Sequence, residues 1–171
     1  PDGFALKPPT PLRALHASVL NDDVIQDIMA FLPLRDIAAS FARFAVAAAR
    51  DEGERRVVSA MTTHAFMVGG TGRACTDVMR QAAGRAFVKV GAEGVYAGGA
   101  TQRGLGFAIK VADGGRRAGE VALVRVLSEL GILSSEDVDA LRRHANPTVY
   151  NTLGEEVGQI RAVFDLANAI A

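Results

Sequence analysis

The stretch that decides the fold is residues 86–111, which read AFVKVGAEGVYAGGATQRGLGFAIKV. It contains three apolar runs, over 86–91, 94–97 and 105–111. The last run alternates strictly between large apolar residues and small or charged ones, which is typical of a half-buried strand. The connections between the runs contain glycine and are too short for helical crossovers. The three strands are therefore predicted to pair as an antiparallel meander.

Apolar residues recur at helical spacing on both sides of this meander. Ser134 and Asp137 form a capping-box pattern that predicts the start of one of these helices. Helices followed by a meander and then by further helices predict an α+β fold, with helices packed on one antiparallel sheet. The predicted helices cover about 34–50, 51–70, 71–83, 117–130 and 134–144.

The two ends of the chain carry weaker patterns. Residues 1–11 contain four of the six prolines, which predicts an extended lead-in. The length of 171 residues fits one domain, so we interpret 1–171 as a single domain with an uncertain lead-in over 1–32. The tail after Val149 is short and mixed in composition, and no element is predicted there.

Composition narrows the class of protein. Nineteen basic residues balance nineteen acidic ones, which argues against nucleic acid or a membrane surface as the partner. No apolar run approaches the roughly 18 residues of a membrane span. Cys75 is the one cysteine, so a reducing compartment, the cytoplasm, is predicted. The three histidines show no ligand spacing, so neither a metal nor a cofactor is predicted.

Lys89 is the first candidate for chemistry because it stands inside an apolar strand. A charged lysine in such a place needs a partner or must lose its proton. In one interpretation its ammonium emerges at the sheet edge beside Glu93 or Asp113. In the other it points into a cleft, where it holds a carboxylate or activates a nucleophile. Gly91 would then let a substrate approach the strand closely.

The second candidate is the glycine turn Gly69-Gly70-Thr71-Gly72-Arg73. A glycine turn that opens a helix exposes unpaired N–H groups, which suit an anion. The alternative is a flexible connection between two helices. Cys75 follows in the same helix, and a lone cysteine is more often a small buried apolar residue than a nucleophile.

Four blocks of this sequence occur in the order and spacing of a known family. They lie at 67–73, 89–96, 104–114 and 147–161. In these blocks the chain resembles the rhizobial-type, or class 3, L-asparaginases of the asparaginase II family. The resemblance covers about residues 33–163.

The resemblance implies a fold similar to serine β-lactamases and glutaminases, and hydrolysis of L-asparagine to L-aspartate and ammonia. In that family the chemistry is attributed to serine–lysine pairs, and one of the lysines corresponds to Lys89. Lys89 is therefore expected to activate the serine or hold the substrate, and Arg73 to bind the substrate carboxylate through its guanidinium fork. The residues expected to border the pocket are Gly70, Thr71, Gly72, Arg73, Gly91 and Glu93.

The chain departs from the family pattern in three places. The Ser-x-x-Lys motif expected in the N-terminal half does not occur here, so the chain resembles the C-terminal portion and is expected to be inactive alone. The Asp-Gly-Cys of the family, whose cysteine holds zinc in some members, is Asp2-Gly3-Phe4 here. Residues 12–32 are extra relative to the pattern, and either Pro11-Leu12 or Pro33-Leu34 corresponds to the family's Pro-Leu, so Asp2 is only a possible near-site residue. Some members have a cysteine at the position of Cys75 and many have Asp, which implies that Cys75 lies near the site.

Two other functions stay open. The chain is a non-catalytic module that keeps the fold, or it hydrolyses a different amide, such as glutamine or a β-lactam-like amide. The expected partner is a small-molecule substrate, L-asparagine. Association into a homo-oligomer, or with a missing N-terminal half, is also expected, because a missing half would leave apolar surface exposed.

Overall fold

A computed structural model of the chain describes residues 32–166. The chain divides into two compact units between Leu32 and Pro33, and the account below concerns the unit that begins at Pro33. The predicted lead-in and the near-site candidate Asp2 lie outside the described residues.

This unit is α+β, as predicted, with helices before and after a central antiparallel sheet. Its helices are α1 (Leu34–Ala47), α2 (Glu52–Thr63), α3 (Ala65–Gly69), α4 (Ala74–Ala82), α5 (Arg116–Glu129), α6 (Ser135–Ala140) and α7 (Arg142–Ala145). Its strands are β1 (Ala86–Val90), β2 (Val95–Ala100), β3 (Leu105–Lys110), β4 (Thr148–Tyr150) and β5 (Glu156–Gln159).

The central sheet is the predicted meander. Its strand order is β1-β2-β3, and both pairings are antiparallel. Lys89 stands opposite Ala97, and Lys110 stands opposite Val95. The β1–β2 and β3–α5 connections therefore lie at the same end of the sheet, which is the end near Lys89.

Helix α1 packs directly on this sheet because the sheet presents glycine to it. A Cβ atom on Gly106 would lie 2.0 Å from the carbonyl oxygen of Ala38 and 2.3 Å from the amide nitrogen of Ala42. Phe41 and Phe44 then reach Phe87, with ring centroids 6.0 and 5.6 Å apart. The alternation of residues predicts strand β3. The requirement for glycine at position 106 follows only from the close approach of α1.

We expect Gly106→Ala to destabilise the unit by about 1–3 kcal/mol, because an added methyl group would displace the backbone of α1. Gly53→Ala is the matched control: Gly53 lies in α2, and no atom stands within 4 Å of its added Cβ. That substitution is expected to stabilise by about 0.5–1 kcal/mol. Urea denaturation measures the free energy of unfolding of both variants. Equal values would contradict the conclusion that α1 packs against Gly106.

The hydrophobic core lies between the sheet, α4 and α5. Tyr96, Phe87 and Met79 are among its largest fully buried side chains, together with Leu123 and Leu127 of α5. Val121, Val124 and Leu127 form the buried side of α5.

The capping box at the start of α6 is also confirmed. The Ser134 hydroxyl accepts a hydrogen bond from the Asp137 N–H, and the Asp137 carboxylate accepts one from the Ser134 N–H. Asp137 also receives bonds from Gln81 at 2.9 Å and Arg85 at 2.7 Å. Burial alone would raise the pKa of Asp137, but these donors lower it to about 2. This network ties α4 and its C-terminal connection to α6.

Several element boundaries differ from the prediction. Helix α2 ends at Thr63 and α3 follows as a separate piece, while the helix predicted over 134–144 is divided into α6 and α7. Helix α4 begins at Ala74, because Gly70 and Gly72 have φ angles of 87° and 67°, outside the helical region. The tail contains an unpredicted hairpin, β4–β5.

Within residues 32–166, none of the helices combines the length and the apolar character that crossing a membrane requires.

Candidate functional site

The glycine turn between α3 and α4 is held in place by the hydroxyl of Thr76. That buried hydroxyl donates to the carbonyl of Gly70 at 2.7 Å and to that of Ala65 at 3.3 Å. Thr71 and Gly72 are exposed, and half-buried Arg73 is the N-cap residue of α4. The turn is thus anchored at its base and presents its tip to solvent, which favours a binding loop over a slack connection.

The second predicted loop is the turn from β1 to β2. The Gly91 N–H donates to the carbonyl of Val95 at 2.8 Å, and the Lys110 ammonium donates to the carbonyl of Glu93. Glu93 is exposed and has a φ angle of 52°, a left-handed conformation that is uncommon outside glycine. Gly91 and Glu93 therefore lie together on a turn whose backbone is fixed at both ends.

Lys89 lies on β1 among apolar neighbours. Its side chain is exposed, and its ammonium donates to the carbonyl of Val90 at 2.7 Å. β1 is an edge strand of the three-stranded sheet, so a long side chain on it can reach solvent. This exposure agrees with the first interpretation, in which the ammonium emerges at the sheet edge, and the strand by itself does not remove the lysine from solvent. The acceptor of its hydrogen bond is thus the Val90 carbonyl and neither Glu93 nor Asp113.

Cys75 lies in α4, the helix that follows the glycine turn and packs on β1. It is only 1% exposed, and the charges of both Lys89 and Arg73 act on its thiol. Burial raises the pKa of Cys75, and it outweighs the opposing effects of Lys89, the Val90 backbone and Arg73. The thiol is thus protonated at neutral pH, which argues against its service as a nucleophile.

The sequence analysis did not find a buried bridge of charged side chains that is centred on His144. His144 of α7 is 3% exposed, and its ring stands between two carboxylates. Its Nε2 lies 2.7 Å from Asp77 Oδ2 on α4, and its Nδ1 lies 2.9 Å from Glu120 Oε2 on α5. Arg143 also pairs with Asp77, and Arg116 Nε lies 3.1 Å from Glu120 Oε1.

The charges of the bridge stabilise one another. Burial alone would lower the pKa of His144, but the hydrogen bonds to Glu120 and Asp77 raise it. Burial would raise the pKa of Asp77 and of Glu120, yet both are lowered, Asp77 first by Arg143 and Glu120 first by His144. The two carboxylates of the bridge therefore favour the protonated form of the His144 ring.

Arg73 connects the bridge electrostatically to the predicted loops. Its charge lowers the pKa of Glu120 as well as that of Cys75. It also acts on Tyr96, a buried residue of β2 whose pKa is raised by burial and then by Glu120. Glu120 and Tyr96 are thus both influenced by the charge of Arg73.

One sequence signal pointed toward the bridge. Arg116 and Glu120 stand four residues apart on one helix, a spacing at which opposite charges pair. Nothing local links that pair to Asp77 or His144, which are distant in the chain.

The described residues do not fit a zinc site. Across the part of the chain that the structure covers, residues 32–166, no three His, Cys, Asp or Glu side chains are grouped to hold a metal ion. The ring nitrogens of His144 already face two different carboxylates. Phe4, which follows Asp2-Gly3, has no ligating side-chain atom and lies outside the described residues.

Two surface depressions of the described residues lie elsewhere. One of them is lined by α1, the residues that follow it and Gly104, and the other by α2 and His64. None of the predicted site residues lines either depression.

Comparison with known proteins adds one match. The family model of L-asparaginase II matches residues 28–162, which is well over half of the chain. No curated protein matches the chain. The matched range contains every predicted site residue except Asp2.

Proposed function

The chain belongs to the L-asparaginase II family, and from this premise we propose that it forms one face of the catalytic site of an asparagine amidohydrolase. The observation that carries the proposal is the convergence at Cys75. The helix that carries this buried residue packs on β1, and the charges of both Lys89 and Arg73 act on its thiol. This supports the assignment of the two predicted loops to one site.

In the proposed reaction Lys89 activates a serine hydroxyl. The serine oxygen attacks the side-chain amide carbon of asparagine, and its proton passes to the lysine amine. Collapse of the tetrahedral intermediate forms an ester and expels ammonia, which leaves with that proton. Water then cleaves the ester and releases aspartate. Because Lys89 is exposed in the chain, substrate and the serine-bearing segment must exclude water from it for this role.

The proposal also covers the location of the serines, the fold and the turns that border the substrate. No Ser-x-x-Lys occurs in these 171 residues, so we assign the serines to a segment outside them and the chain to the C-terminal portion of a class 3 enzyme. The helices on an antiparallel sheet are compatible with a serine β-lactamase-like fold. The turn at Gly70, Thr71 and Gly72, and the turn at Gly91 and Glu93, would border the substrate.

The experiment is asparagine-dependent ammonia release, with glutamine and a β-lactam as comparison substrates. The 171-residue chain alone is expected to release none, and the longest native chain that contains it is expected to be active on asparagine. Activity of the short chain would place the nucleophile among its own residues, at Thr71 or Thr76 beside Lys89. Inactivity of the long chain on every amide would favour a non-catalytic module.

Arg73→Gln is expected to raise the KM for asparagine in the active protein by about 10- to 100-fold, because a charge-assisted hydrogen bond of about 1.5–3 kcal/mol is lost. The kcat should change much less, since the substrate carboxylate does not react. Arg80→Gln, an exposed position on the same helix, is the matched control. Equal KM values for the two variants would contradict the assignment.

A further inference from the structure

The first turn of α4 joins the predicted substrate-binding arginine to the buried bridge. Arg73 is the N-cap residue of α4, and its carbonyl accepts a hydrogen bond from the Asp77 N–H at 3.2 Å. Asp77 therefore stands one helical turn from Arg73. A contact that holds the Asp77 side chain in place also holds the end of the helix from which Arg73 projects.

The Arg73 side chain has no fixed partner of its own. Within residues 32–166, its guanidinium takes part in no hydrogen bond and no ion pair, so it is available for a carboxylate. Gly70 and Gly72 lie just before it, and glycine restrains the backbone least. The direction of Arg73 toward a substrate therefore depends on the helix that follows it.

His144 holds this end of α4 from the interior. Its Nε2 lies 2.7 Å from the Asp77 carboxylate, and its Nδ1 lies 2.9 Å from the Glu120 carboxylate of α5. The buried, rigid ring thus fixes the spacing between α4 and α5. Arg143 pairs with Asp77 as well, but its side chain is 61% exposed, and exposed ion pairs contribute little.

Glu120 provides a second connection to Arg73. Its Oε2 bonds to the His144 ring, whereas its buried Oε1 has no hydrogen bond within residues 32–166, although Arg116 Nε lies 3.1 Å away as an ion-pair partner. The orientation of this carboxylate therefore depends on the ring. The charge of Arg73 acts on Glu120. The carboxylate that His144 orients thus attracts the guanidinium that is expected to receive the substrate.

We propose that His144 is a positioning residue for substrate binding: by joining Asp77 to Glu120, it holds the first turn of α4 so that Arg73 meets the substrate carboxylate. This role rests on the proposed function, in which Arg73 binds that carboxylate. His144 itself does not touch the substrate, because its ring is buried and both of its nitrogens face carboxylates. It acts on binding and leaves the proton transfer assigned to Lys89 unchanged.

The test is steady-state asparagine hydrolysis by the longest native chain that contains these residues, with KM and kcat measured separately. His144→Ala is expected to raise KM by about tenfold and to change kcat by less than about twofold. Added to Arg73→Gln, it is expected to raise KM no further, because its effect passes through Arg73. His144→Gln keeps one hydrogen bond to a carboxylate and is expected to raise KM by about threefold. It serves in the same comparison with Arg73→Gln if the alanine variant does not fold.

Asp137→Asn is the matched control, because Asp137 holds the other end of the same helix through Gln81 and Arg85. It is expected to lower the stability of the unit and to leave KM unchanged. Circular dichroism verifies that each variant is folded at the temperature of the assay.

Three results would overturn the positioning role: an unchanged KM in the folded His144 variants, an equal rise of KM in Asp137→Asn, or a further rise of KM when the His144 substitution is added to Arg73→Gln. In each of these cases the wild-type chain still hydrolyses asparagine and Arg73→Gln still raises KM, so the proposed function stands. A wild-type long chain that does not hydrolyse asparagine would overturn the proposed function and the positioning role together.

Discussion

Replacing His144 with alanine is expected to destabilise the unit by about 3–5 kcal/mol, because it leaves two half-buried carboxylates without the hydrogen-bonding ring between them. Asp77 would keep Arg143, and Glu120 would keep Arg116, but both would lose their hydrogen bond to the ring. The free energy of unfolding from urea titration measures the loss at a fixed protein concentration.

His64→Ala is the matched control for this substitution. His64 is exposed at the junction of α2 and α3, and its side chain caps neither helix. Its replacement is expected to change the free energy of unfolding by less than about 0.5 kcal/mol. A similarly small effect of His144→Ala would show that the bridge contributes little.

The bridge also predicts a pH window of maximal stability. The pKa of His144 is raised above its ordinary 6.5, so its contribution is complete below pH 6.5 and is lost as the pH rises through the folded value. The pKa values of Asp77 and Glu120 are lowered from 3.8 and 4.5. Their contributions are complete above those values and are lost as the pH falls. Stability should therefore be greatest between about pH 5 and 6.5.

His144→Gln separates the titration from the packing. The glutamine amide can donate a hydrogen bond to one carboxylate, but it does not titrate. The variant should therefore lose the decline in stability on the alkaline side of the window, whatever its overall stability. A persistent decline between pH 6.5 and 9 in this variant would assign that dependence to another group.

Lys89→Met is expected to reduce asparagine hydrolysis by about 10²- to 10⁴-fold in the active protein, the usual contribution of a general base. Methionine keeps most of the aliphatic stem and removes the ammonium. The fold should persist, because the recorded hydrogen bond of Lys89 is to its neighbour Val90 and its side chain is exposed. Steady-state ammonia release together with thermal denaturation measures the two effects separately.

Lys110→Met is the control for a lysine on the same sheet. Lys110 holds the β1–β2 turn through the carbonyl of Glu93 and is exposed. Its loss is expected to lower activity much less than the loss of Lys89, since it loosens a loop and removes no reacting group. Near-normal turnover by Lys89→Met, with Lys110→Met the more impaired, would assign the reaction's base to another residue.

The sequence alone determined the elements whose cause is local. The alternation of 105–111 predicted β3, and the glycine-containing connections predicted antiparallel pairing. Ser134 and Asp137 predicted the capping box, since both partners lie within one helical turn. The motifs at 69–73 and 89–94 also led to the family, because a short contiguous segment carries each of them.

Tertiary structure alone decided the contacts between distant segments. His144 meets Asp77 and Glu120 only because α4, α5 and α7 pack around one core, and no spacing in the chain encodes that meeting. The apolar neighbours of Lys89 left both an exposed and a cleft-facing ammonium open, and the position of β1 at the edge of the sheet leaves the side chain in solvent. Periodicity records which face of an element is apolar, whereas burial and ion pairing depend on which other elements cover that face.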